Sequence, residues 1–223
     1  MLKIDPLTFL ITLAVFVPSL TIHEYAHAWV AHKFGDDTAK NMGRLSLNPI
    51  VHIDLIGTLI LPLIAHFGWA KPVPVNFSIL DRKQILLVAI AGPVSNIMLA
   101  VVLAGAYHML PLQTIPLLEE YILFSIFMNI FLALFNLIPI PPLDGSRIVY
   151  AGLTSPAAIK IYSSLAPFGI FILIGFIYFI GFSFIMEPLA KLFFKLFRLP
   201  WLFGILSKSD SEIYLQSNTQ KGA

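Results

Sequence analysis

Four stretches of this chain, residues 7–31, 85–110, 121–138 and 168–186, are apolar at nearly every position. Runs of about twenty such residues match the thickness of a bilayer core. Inside lipid no water is present to satisfy backbone N–H and C=O groups, so each run must close its hydrogen bonds as a helix. Composition agrees. Hydrophobic residues make up 58% of the 223 positions and charged residues 12%, where a soluble domain carries about 45–50% and about 25%. A fifth apolar stretch, 53–67, is too short to span and has the length of a re-entrant segment. The sequence therefore predicts an all-α multi-pass membrane protein with about four to six transmembrane helices, a re-entrant segment and a short β element. Residues 1–206 read as a single membrane-embedded domain and 207–223 as a polar, disordered tail. Residues 189–206 mix Lys191, Lys195 and Arg198 with Phe, Leu and Trp, a pattern that suits the interface plane. Phe and Met throughout the spans read as packing and lipid contacts.

The net charge of +2 gives no basic surface for nucleic acid, so none is expected as a partner. No cysteine is present, which excludes thiolate zinc sites and disulfides and leaves His and carboxylates as metal ligands.

His23-Glu24-Tyr25-Ala26-His27 fits the pattern H-E-x-x-H. Four residues apart on a helix, both imidazoles lie on one face and reach one cation, while Glu24 can deprotonate water there. Two core histidines beside an unrelated Glu would be the alternative. Chance supplies the pattern in about one chain of this length in a hundred, and ionisable groups inside a membrane are costly and functional by default. Zinc suits such a site, and a catalytic zinc takes a third protein ligand. Asp144 and Asp54 both qualify. Asp144 closes Asn136-Leu-Ile-Pro-Ile-Pro-Pro-Leu-Asp144-Gly145, where prolines break a helix at membrane depth, which is tolerated where the backbone lines a cavity or is buried in protein; an ordinary turn is the other reading. Asp54 opens the short apolar stretch, where capping a helix is job enough.

Lys71-Pro-Val-Pro-Val-Asn76 alternates Pro with Val. In an extended strand, one edge would lack donors, while Val73 and Val75 would offer the other edge free to pair with an unwound substrate. A rigid Pro-rich loop is the other reading. Asn96 and Asn129 lie within apolar helices and need partners; Asn96 could contact substrate or brace the His helix, and polar glue between helices accounts for either.

Together these residues resemble the site-2 protease family of intramembrane zinc metalloproteases, which pairs H-E-x-x-H with a distant N-x-x-P-x-x-x-L-D-G-type motif, here Asn136, Pro139, Leu143, Asp144 and Gly145. Asn48-Pro49, residues 68–76 and Ala91-Gly92-Pro93-Val94-Ser95-Asn96 extend the likeness over most of 15–150. The resemblance implies His23, His27 and Asp144 as ligands of one zinc ion, Glu24 as catalytic base and Asn136 as a substrate contact. It implies a transmembrane protein as substrate, with membrane lipid around it. It also points to the short, core-only members, without the PDZ or CBS domain that many relatives carry.

The two ligand motifs share a depth only if residues 53–67 do not cross the membrane. Lys33, Lys40, Arg44, Lys71, Arg82, Lys83, Arg147 and Lys160 would then share the cytoplasmic side, as positive-inside loops do. The active site is expected on that side of the cell membrane. Lys191, Lys195 and Arg198 would fall opposite and do not fit. Two rivals share the His pair: a metal-binding transporter without catalysis, and a metallohydrolase of prenylated or lipid substrates.

Overall fold

The computed structural model describes residues 6–54, 71–111, 114–176, 179 and 182–200. Its elements are helices: α1 (Pro6–Lys33), α2 (Thr38–Asn41), α3 (Arg82–Met109), α4 (Pro116–Asn136), α5 (Asp144–Gly152), α6 (Pro156–Leu165), α7 (Gly169–Phe176) and α8 (Phe182–Leu196), with short 3-10 turns at Pro49–His52, Phe77–Ile79 and Ala166–Phe168. Among the described residues, four continuous segments are long and apolar enough to cross a membrane: Phe9–Lys33, Arg82–Met109, Leu117–Asn136 and Pro156–Phe176. The fold is thus that of a multi-pass membrane protein.

Each helix begins and ends for local reasons. Asp81 caps α3 by accepting from Gln84 N–H, and the Gln84 side chain returns a bond to Asp81 N–H. Pro116 opens α4 at a position that needs no N–H. Pro18, inside α1, cannot donate to the carbonyl of Ala14. The Tyr121 hydroxyl on α4 donates to that carbonyl instead, over 3.2 Å, so the broken ladder becomes a contact between helices.

α3 packs against α1, α4 and α5. His23 faces Asn96 while His27, a turn later on α1, faces the earlier Val88, so α1 and α3 are antiparallel. Tyr121 lies beside Ala14 and Asn129 beside Ser19, which makes α4 parallel to α1. The chain leaving α1 must therefore return to the same end of the bundle before α3. Its flanks show it doing so: Lys71 N–H donates to the His52 carbonyl at 2.9 Å. The expected re-entrant stretch lies between them, almost wholly outside the described residues, as does the expected tail.

Two expectations are corrected. No strand occurs among the described residues, and Lys71–Asn76 has no ladder partner. The fourth span begins at Pro156 instead of 168, because Lys160, Ser163, Ser164 and Pro167 interrupt the apolar run without stopping the helical path. α8 packs against the bundle. Phe194 is 1% exposed and packs with Ala100, Ala104, Leu123, Ile126 and Ile130 of α3 and α4. His108, at the far end of α3 from Arg82 and Lys83, bonds the carbonyl of Phe197. Positive charge on Lys195 and Arg198 thus sits at the opposite end of α3 from Arg82 and Lys83.

Candidate metal centre

His23 and His27 project from one face of α1 towards α3, at 3% and 7% exposure. Their Nε2 atoms are 3.0 Å apart, and Oδ2 of Asp144, the first residue of α5, lies 3.1 Å from one and 3.2 Å from the other. The second motif reaches the first because the chain turns sharply after α4. A Cβ on Gly145 would come within 2.2 Å of the Leu137 carbonyl, so only glycine lets α5 start hard against the end of α4. Gly92 clears the other wall: a Cβ there would lie 2.3 Å from His27 Nε2 and 2.6 Å from His23 Nε2.

The donor chemistry fits a cation. His27 Nδ1 faces the Val88 carbonyl at 2.7 Å, an acceptor only, so that nitrogen carries the proton and Nε2 a lone pair. His23 Nδ1 faces Asn96 Oδ1 at 2.7 Å, with the same result. Two lone pairs and a carboxylate oxygen then converge with no proton between the nitrogens. A tetrahedral zinc with bonds of about 2.0–2.1 Å separates its ligands by roughly 3.3 Å. Among the described residues, these three form the group able to hold a metal, and Asp54 is not in it.

Glu24 is 8% exposed. Its Oε2 accepts the main-chain N–H of Val73 at 2.7 Å. The expected free edge at Val73 is therefore corrected: its N–H is engaged. Its side chain is buried with Ala28 and Ala39, and Val75 packs beside it. The segment is pinned from below. Arg44 Nη2 donates to the Lys71 carbonyl at 2.6 Å, and Asp36 accepts Asn76 N–H at 2.7 Å.

Asn96 braces the His helix. It is fully buried, with Oδ1 on His23 and Nδ2 donating to the Ser19 carbonyl and Asn129 Oδ1; all three bonds go to the protein. Asn136, at the end of α4 and half-buried, donates to the Leu132 carbonyl one turn back. Sequence reasoning misses Asp36 and Arg44. Asp36 sits in a Gly-Asp-Asp-Thr stretch that reads as an ordinary turn, and Arg44 reads as one more basic loop residue.

Two imidazoles one turn apart on a membrane helix, joined by a carboxylate from a remote helix, define a membrane protein with a candidate metal site of two histidines and one carboxylate. The chain belongs to peptidase family M50, whose profile matches residues 10–117 and 113–180. It is 50% identical over 142 residues to "Putative zinc metalloprotease YwhC" of Bacillus subtilis, covering 60% of this chain and 64% of that one. It is 32% identical over 164 residues to "Putative zinc metalloprotease Rip2" of Mycobacterium tuberculosis, covering 71% and 62%. It is 30% identical over 145 residues to "Putative zinc metalloprotease MJ0611" of Methanocaldococcus jannaschii, covering 64% and 71%. The chain thus spans less than two thirds of the first two relatives. No solved structure matches it.

Proposed function

We propose that this protein is an intramembrane zinc metalloprotease that hydrolyses a peptide bond within or near a transmembrane helix of another protein and releases a signalling fragment. The observation that carries this reading is the meeting of His23 Nε2, His27 Nε2 and Asp144 Oδ2 within 3.2 Å of one another, between buried helices. These three would hold one zinc ion. Bound zinc supplies Lewis acidity and water activated near neutral pH.

The remaining work falls to the chain. Glu24 takes the proton of the attacking water and returns it to the leaving amine. The Val73 N–H orients that carboxylate, and burial keeps its proton exchange away from bulk water. Asn136, within a few residues of the ligand helix, binds substrate backbone. Val73 and Val75 lie along an extended segment beside Glu24, on which an unwound substrate adds as a strand through groups other than the Val73 N–H. A helical substrate shields its own amides, so the favoured site contains Gly or Pro. Basic residues at the His27 end of α1 and the Arg82 end of α3 support an active site facing the cytoplasm of the cell membrane.

The test is cleavage of a single-span reporter by purified protein in lipid, with the cut located by mass spectrometry. A cut in or beside the apolar segment is expected. An intact reporter with a zinc-loaded protein would refute the protease reading and leave transport or lipid hydrolysis to be assayed.

A further inference from the structure

Behind the ligands lies a buried polar chain whose proton directions are fully determined. Ser19 Oγ donates to the Val15 carbonyl at 2.7 Å, so towards α4 it offers only lone pairs. Asn129 Nδ2 donates to that oxygen at 2.9 Å and to the Ser125 carbonyl at 2.9 Å. Both partners are acceptors, so the amide of Asn129 cannot be reversed, and Oδ1 must point at Asn96. Asn96 must then present Nδ2, which donates to Asn129 at 2.8 Å and to the Ser19 carbonyl at 3.1 Å. Its Oδ1 is left facing His23 Nδ1 at 2.7 Å. Asn96 and Asn129 are 0% and 1% exposed, so no water competes for any of these bonds.

We propose that Asn129 is a positioning residue for the metal centre: together with the Ser19 main-chain carbonyl it fixes the direction of the Asn96 amide, which places the proton of His23 on Nδ1 and the lone pair on Nε2. The proposal rests on the reading that His23 is a metal ligand. Asn129 touches neither ligand nor substrate and acts through Asn96. His27 needs no such relay, because a main-chain carbonyl cannot turn round. The two histidines are therefore fixed by different means, and only His23 depends on a side-chain amide.

The experiment uses full-length protein in lipid nanodiscs with 15N-labelled histidine rings. Wild type, Asn129→Leu, Asn129→Asp and Ser125→Ala are compared for the His23 ring tautomer in the zinc-stripped state and for zinc affinity by chelator competition. Ser125→Ala keeps the carbonyl that Asn129 uses and removes a hydroxyl bonded only to the Tyr121 carbonyl; it is expected to match wild type. Asn129→Leu leaves Asn96 Nδ2 with a buried N–H unpaired and is expected to leave Nδ1-H and Nε2-H forms of His23 mixed, with His27 unchanged, and to bind zinc about 10–100-fold more weakly. Asn129→Asp still presents an oxygen to Asn96 Nδ2 and is expected to keep the wild-type tautomer, which separates the acceptor from packing; Asn129→Ala, compared in the same way, also removes the acceptor and serves if the Leu variant does not fold. A His23 tautomer that stays wild-type in folded Asn129→Leu or Asn129→Ala protein, or an unchanged zinc affinity there, would overturn the proposal. Neither readout involves substrate, so a wild-type protein that cleaves nothing would refute the protease reading without touching this one.

Discussion

The main-chain N–H of Val73 donates to Glu24 Oε2 over 2.7 Å, joining the extended segment 71–76 to the helix that carries both histidines. The carboxylate beside the paired imidazoles is therefore fixed in place before any substrate arrives. Its holder is in turn tied to His52, Arg44 and Asp36.

Glu24→Gln keeps an oxygen for the Val73 N–H but cannot take a proton. Reporter cleavage is expected to fall by about 10²–10⁴-fold while zinc content stays at the wild-type value. Parallel turnover and metal analysis check this.

Gly92→Ala and Gly145→Ala are expected to fail differently. A methyl at Gly92 meets ring nitrogens, 2.3 Å from His27 and 2.6 Å from His23; the rings swing aside, zinc is lost and thermal stability changes little. A methyl at Gly145 meets the Leu137 and Ile138 carbonyls at 2.2 and 2.5 Å. Backbone must move, so zinc is lost together with about 1–3 kcal/mol of stability. Gly105→Ala, with nothing within 4 Å, is the control and should unfold at or slightly above the wild-type temperature. Zinc analysis with thermal unfolding separates the three.

How much of the site is legible in the sequence follows from what each signal depends on. His23, Glu24 and His27 are legible because helical spacing alone puts the two rings together. Chemistry alone favours Asp144 over Asp54 only narrowly, and the likeness of its motif to a known family widens the margin. Asn96 cannot be placed from sequence, because a buried amide serves substrate or ligand equally until its neighbours are known. Val73 misleads for a similar reason: alternating prolines reveal which edge lacks donors, not that Glu24 occupies the other. The early start at Pro156 is hidden by Lys160 and two serines, which break the apolar run but lie on the surface of α6.

Asp36 should make the 71–76 segment sensitive to acid. Burial opposes its ionisation, yet hydrogen bonds from the Thr38 hydroxyl, Thr38 N–H and Asn76 N–H prevail and hold its pKa below the ordinary carboxylate value. A carboxyl with a lower pKa folded than unfolded stabilises fully above its unfolded value of about 3.9, and this is lost as pH falls through the folded value. Amide exchange at Asn76, corrected for the intrinsic rate, should accelerate below about pH 4. In Asp36→Asn it should be fast at all pH values, without that step.

The most direct measurement is zinc per chain in wild-type protein and in His23→Ala, His27→Ala and Asp144→Ala, with zinc-edge X-ray absorption on the wild type. One zinc in a shell of nitrogen and oxygen that includes two imidazoles is expected, falling to background in each variant that stays folded. Zinc retained without Asp144, or a wild-type shell lacking two imidazoles, would contradict the convergence of α1 and α5 on one cation.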